Sequence, residues 1–171
     1  MKMELMADLY EQTLKQLLDG EKQTLPVLPK VAKAVSDPEI AKLFERHTAE
    51  TKKQIQRLER ILGTKGRRAR VKAQAISGLL AELKNVLEEG SEDAEILDAA
   101  LVEAATQIEG HEVAAYACAH RYPKFLGRRQ DMKLLEESFK EEQEMEDKVM
   151  PRGDLLGEEE AETEQEGALA R

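Results

Sequence analysis

The stretch Ile108-Glu109-Gly110-His111-Glu112-Val113-Ala114-Ala115-Tyr116 decides the fold. It prolongs a helical stripe through Ile96, Leu97, Leu101, Ala104 and Ala105, so that Ile108, Ala115 and Tyr116 carry on an apolar face. Glu112 falls inside that face, where a helix buries its side chains, and Glu109 lies one turn before it. A buried carboxylate is costly unless it is paired, protonated or bound to a cation. Acids in an apolar stripe therefore predict a partner, and the rest of the chain suggests which kind.

The same anomaly recurs on three other helical patterns. Glu21 lies three, four and seven residues after Leu18, Leu17 and Leu14, and four before Leu25. Glu50 sits at the edge of a stripe between Gln54 and His47, the latter three residues after Phe44. Glu142 follows Leu135, Ser138 and Phe139 and precedes Met145 and Val149, with Glu146 one turn away. Several inward carboxylates would repel one another, and a metal pair would resolve the conflict.

Helix limits follow from punctuation. Helix A runs from Met3 to about Val35, its last turns kinked by Pro26 and Pro29. Ser36-Asp37-Pro38-Glu39 opens helix B, which Gly63 ends. A basic loop spans Thr64 to Lys72, followed by a short amphipathic helix through Ile76, Leu80, Leu83 and Leu87 that closes near Gly90. Ser91-Glu92-Asp93 opens helix C, Pro123 and Gly127 interrupt it, and helix D runs from Arg128 to about Val149. The segment after Pro151, RGDLLGEEEAETEQEGALA, has too little apolar content to offset the entropy of ordering it. The expected organisation is a helical bundle over residues 1–150 and a disordered acidic tail over 151–171, with no repeat of solenoid length.

Bundle geometry tests the inward acids. In an antiparallel hairpin two residues are level when their midpoint falls at the turn. The midpoint of Glu21 and Glu50 lies between Val35 and Ser36, that of Glu112 and Glu142 on Gly127, and that of Glu109 and Glu146 beside it. Glu50 lies 13 residues before Gly63 and Glu112 lies 15 before Gly127, so helix C should run parallel to helix B. The link from Gly63 to Ser91 must then cross the bundle's length, roughly 40 Å at 1.5 Å per helical residue. Part helical and part extended, it can reach. One long crossover is the ferritin-like four-helix arrangement, in which glutamates from facing helices build a two-metal site.

Composition agrees with an all-α chain. Aromatic residues make up 4% of the 171, and Trp is absent. A net charge of -9 disfavours a nucleic-acid or anionic-membrane binder. The basic run KGRRARVK from Lys65 to Lys72 is a local exception, read as a solvated connector. A single cysteine, Cys118, excludes an intramolecular disulfide framework and zinc-finger-type thiolate sites, and its alanine-rich surroundings predict a packed, inert thiol. Met132, Met145 and Met150 read as core filling, and His111 and His120 as structural or exposed. The start, MKMELMADLYEQ, lacks a signal peptide's apolar core and no run reaches membrane-spanning length, so a soluble, cytoplasmic protein is expected.

The chain also resembles the YciE/YciF-like stress proteins of the ferritin-like superfamily, over most of its length from helix A to helix D. The resemblance is carried by Gly20-Glu21-Lys22-Gln23 and Leu28-Pro29-Lys30, by His47-x-x-Glu50-Thr51-x-x-Gln54 with Arg57-Leu58-Glu59, by Ile108-Glu109-Gly110-His111-Glu112-Val113-Ala114-x-Tyr116, and by Leu134-Leu135 with Glu141-Glu142. It departs from that family at Gly110, where a His is common. It departs from similar rubrerythrin-type sites at Lys53 and Met145, where those place a His. The resemblance implies fold and metal site more strongly than reaction.

Together these readings predict a site of Glu21, Glu50, Glu109, Glu112, Glu142, Glu146 and His47 holding two ions. Oxygen-rich donors with an imidazole suit iron or manganese. Glu109 or Glu112 is expected to bridge, Glu21 and Glu142 to be terminal, and Glu50 with His47 to complete one side. Such a pair can reduce a small oxidant, peroxide or oxygen, during stress. A homodimer is expected over a cage. Two other readings stand beside it: a metal-free helical stress scaffold whose inward glutamates pair with basic residues, and an enzyme oxidising an organic substrate, which would need an apolar cavity beside the metals.

Overall fold

A computed structural model describes the backbone of residues 5–66 and 71–169 and the side chains of residues 5–63 and 71–152. In chain order the elements are α1 (Met6–Thr24), α2 (Leu28–Ala34), α3 (Pro38–Gly66), α4 (Gln74–Glu89), α5 (Ala94–Ala119), α6 (Tyr122–Leu126) and α7 (Arg129–Leu169), with no strand among the described residues. Helices α1, α3, α5 and α7 form the bundle.

The starts and stops obey local chemistry. Asp37 caps α3 by accepting from the backbone N–H of Glu39 at 2.6 Å, and Asp93 caps α5 by accepting from that of Glu95 at 2.9 Å. Helix A is broken rather than merely kinked. Pro26 has no N–H to continue the ladder, so α1 ends at Thr24 and α2 restarts with Pro29 in its first turn. Helix α3 leaves helical geometry at Gly63, where φ is 61°, a conformation glycine adopts without steric penalty.

Contacts between helices fix their directions. Ser36 with Asp98 and His47 with Glu109 are both separated by 62 residues, so α3 and α5 run parallel as the spacing predicts. As α3 advances from Glu39 through Gln54 to Arg57, its partners on α7 retreat from Arg152 through Glu142 to Glu141, so this pair is antiparallel. The crossover helix α4 buries Ile76, Leu80 and Leu83. Asp19 on α1 accepts from the N–H of Ala73 at 2.9 Å, and Ser77 donates to Gln23 at 2.7 Å, clamping the start of α4 to α1.

Two apolar clusters fill the bundle. One gathers Ile40, Phe44, Leu80, Leu101, Ile108, Met145 and Val149; the other Tyr10, Leu14, Leu18, Leu58, Tyr116 and Leu135. Burying each such side chain contributes about 1.5–3 kcal/mol. Glu21, Thr24, His47, Thr51, Gln54, Glu109, Glu112, Ser138 and Glu142 belong to neither cluster and are buried as well.

Some expectations differ from the structure. Met150 is 49% exposed and does not fill the core, whereas Met145 does. Cys118 is exposed, because the apolar face of α5 turns Tyr116 and Ala119 inward and leaves Cys118 outside. Helix α7 passes the boundary at residue 150 and continues through Pro151 to Leu169, in a segment rich in the good helix formers Glu and Ala. Arg67, Arg68 and Arg70 of the basic loop lie outside the described residues.

Candidate metal centre

Three helices contribute to one buried cluster of carboxylates and an imidazole. His47 from α3, Glu109 and Glu112 from α5 and Glu142 from α7 each direct a ligand-capable atom into a cluster whose atoms all lie within 4.8 Å of one another. The His47 Nε2 stands 3.3 Å from Glu109 Oε2 and 3.6 Å from Glu142 Oε2, and its Nδ1 stands 3.5 Å from Glu50 Oε2. All four residues of the cluster are buried.

Glu21, Glu50 and Glu146 stand around this group. Glu21 on α1 is buried and accepts a short hydrogen bond from the Tyr116 hydroxyl. Glu50 is half-buried and also meets Arg46 at 3.4 Å. Glu146 is half-buried, and a Cβ on Gly110 would lie 3.2 Å from its Oε1. Glu21 and Glu50, expected to be level, are joined through His47, whose positive charge both favour.

The electrostatics show how costly this arrangement is on its own. Burial pushes the Glu21 carboxyl up to about 7, although the Tyr116 hydrogen bond and the His47 charge oppose the rise. Burial also raises Glu109, against the His47 charge. Glu112 and Glu142 are pushed well above the carboxylate range, by burial first and then by the neighbouring glutamates. Burial alone would lower His47, but the Glu109 charge, the Glu50 contact and the Glu21 charge outweigh it and raise it. Only Glu50 is lowered, by its contact with His47.

Among the described residues no Lys or Arg pairs with Glu21, Glu109, Glu112 or Glu142. Arg57, which reaches from α3 to α7, is engaged by Glu141 at 2.6 and 2.8 Å and by Glu137 at 3.3 Å. Glu21 Oε2, Glu50 Oε2, Glu109 Oε2, Glu112 Oε2, Glu142 Oε2 and both nitrogens of His47 are buried without a hydrogen-bond partner. Buried polar atoms are ordinarily satisfied, so orphans gathered in one place call for a missing partner. The donor set, carboxylate oxygens with one imidazole, fits a hard or borderline divalent cation.

Supporting contacts that the sequence reading did not assign to the site now have places. Thr24 donates to Glu112 Oε1 at 3.2 Å, Gln54 donates to Glu142 Oε1, and the Thr51 hydroxyl donates to the His47 carbonyl at 3.0 Å. Helical spacing could have found Gln54, seven residues after His47, and likewise Tyr116, which is four after Glu112 and bonds Glu21, each on the same face as its reference residue.

Residues 6–161 match a family described as a domain of unknown function, DUF892. The chain belongs to this family. Protein YciF of Escherichia coli (strain K12) is 33% identical over 144 residues, which cover 83% of this chain and 86% of YciF. The crystal structure of the E. coli stress protein YciF aligns with a TM-score of 0.84 at 30% identity, over 91% of this chain and 99% of that one. YcfI from Rhodopseudomonas palustris aligns with a TM-score of 0.77 at 28% identity, over 85% and 93% of the two chains. This DUF892 chain thus has the ferritin-like helical bundle that its spacing predicts. No helix among its described residues is long and apolar enough to cross a membrane.

Proposed function

We propose that this DUF892 chain is a di-metal carboxylate protein of the stress response, holding two iron or manganese ions between α1, α3, α5 and α7. The observation that carries the reading is the set of seven orphaned donor atoms on Glu21, His47, Glu50, Glu109, Glu112 and Glu142. Glu50 and His47 Nδ1 face each other, and the remaining four buried carboxylates carry more negative charge than one divalent ion neutralises, which favours two ions over one. A scaffold held by salt bridges would instead have Lys or Arg beside Glu21, Glu109, Glu112 and Glu142. The likeness to the E. coli stress protein YciF supports the physiological setting.

Each residue has a part to play. Glu109, Glu112 and Glu142 would supply oxygens and His47 an imidazole nitrogen. Glu50 is placed to accept from His47 Nδ1–H, which leaves Nε2 free on the Glu109 and Glu142 side. Tyr116 orients Glu21, Thr24 orients Glu112 and Gln54 orients Glu142. When bound, a redox-active pair supplies electrons to a small oxidant such as peroxide or oxygen. The apolar clusters above and below the layer limit water entry.

Metal content by mass spectrometry on tag-free protein reconstituted with iron or manganese tests the reading, beside a Glu21→Ala, Glu142→Ala double variant. The expected result is near two ions per chain in the parent, lost in the variant, with the parent alone gaining thermal stability from metal. No retained metal with either ion would overturn it.

A further inference from the structure

A cavity of about 290 Å³ opens between α1, the start of α4 and α5, and Glu112 forms part of its wall. Its rim includes Gln16, Ala75 and Cys118, which are exposed; its deeper wall includes Leu17, Ile76 and Glu112, which are buried. Glu112 is thus shared by the cavity wall and the candidate centre, and its Oε2 is one of the orphaned atoms. We propose that this cavity seats a small neutral organic molecule, with an apolar body against Leu17 and Ile76 and a hydroxyl-type head toward Glu112. The proposal deepens the di-metal reading and rests on it, because it makes Glu112 the meeting point of ligand and centre.

Size and charge define the ligand class. An apolar cavity of about 150 Å³ accepts benzene, so this one suits a molecule of about a dozen non-hydrogen atoms. Among the described residues no Lys or Arg lines it, so an organic anion would leave water without such a side chain to pair with. With metal ions neutralising the acids of the centre, an organic cation has nothing to pair with and must still leave water to lie against Leu17 and Ile76. Gly20 also lines it, and a Cβ there would stand in ordinary contact with Ile76 Cγ2 at 3.5 Å.

Cys118 provides a readout that does not depend on turnover. It is the only cysteine of the chain, it is exposed, and it lines the cavity. The experiment measures the rate at which N-ethylmaleimide alkylates Cys118 in metal-reconstituted protein, with 1-phenylethanol, benzoate or 1-phenylethylammonium present, and metal content on the same samples. At ten times its half-saturating concentration 1-phenylethanol is expected to slow alkylation about tenfold. Benzoate and 1-phenylethylammonium are expected to leave the rate unchanged. Ala115→Leu fills the cavity from α5 and should abolish the protection; if that variant does not fold, Ala75→Trp at the exposed rim makes the same test. No protection by 1-phenylethanol, or equal protection by benzoate, would overturn the pocket. Failure of the metal reading shows separately, as absence of retained metal in those samples.

Discussion

The Tyr116 hydroxyl, buried on α5, donates to Glu21 Oε1 on α1, while the second oxygen of Glu21 has no partner. The two side chains divide the Glu21 carboxylate into an anchored oxygen and a free one. Because this bond opposes the rise that burial imposes on Glu21, the tyrosine also helps to keep the acid ionised. Tyr116→Phe removes the donor and leaves the packing. The expected loss is about 1–3 kcal/mol of stability at neutral pH, read by urea unfolding of metal-free protein. Reconstitution with metal should recover part of it. A variant as stable as its parent would show that the hydrogen bond does not hold Glu21.

Asp98 makes a structural prediction separable from the metal. Its carboxylate is 2% exposed and accepts from the Ser36 N–H at 2.8 Å, the Ser36 hydroxyl at 2.7 Å and the Asp37 N–H at 3.0 Å, tying the start of α3 to α5. Asp98→Ala strands those donors, and hydrogen bonds to a charged group contribute about 1.5–3 kcal/mol each before relaxation. Chemical denaturation should show a loss on the order of 2–4 kcal/mol, with metal stoichiometry unchanged in the folded fraction. Loss of metal from fully folded variant protein would contradict this separation.

How much of this was legible in the sequence depends on whether local spacing carried it. The parallel run of α3 and α5 was readable, because Gly63 and Gly127 fixed two levels that the Ser36–Asp98 and His47–Glu109 contacts share. The inward glutamates stood out because they interrupted apolar stripes. Asp98 was not singled out: its partners are the backbone N–H groups and one hydroxyl of a distant turn, and no local pattern encodes them. Cys118 was misplaced because alanines flank it whichever way the helix faces. The cavity depends on how α4 settles on α1 through Asp19 and Gln23, side chains that read as ordinary surface polar residues.

Gln54 tests whether orientation of a ligand matters. It is buried, and its side-chain amide donates to Glu142 Oε1. Outer partners of metal-binding carboxylates typically contribute about 10–100-fold in affinity. Gln54→Leu keeps comparable bulk and deletes the donor, so competition with a chelator should show metal retention weakened by about that factor while helicity by circular dichroism is kept. Unchanged retention would place Glu142 outside the set of ligands.

The metal-free protein should become less stable as pH rises through the weakly acidic range. Glu21, Glu109, Glu112 and Glu142 are all raised in the folded state, Glu21 to about 7, so between their unfolded value of 4.5 and their folded values the native chain holds more protons than the unfolded chain. Stability then falls with pH across that window, since its slope follows the protons bound by the unfolded state minus those bound by the native state. His47, also raised, acts with the same sign. Glu50 is lowered and acts oppositely, but only as pH falls below its unfolded value of 4.5. Melting temperatures of metal-free protein should therefore decline from about pH 5 toward pH 7 and above. Iron or manganese must displace these protons to bind, so its stabilising effect should grow over the same interval. A metal-free melting temperature that climbs between those limits would mean that the buried carboxyls are ionised at no cost and that some other cation already satisfies them.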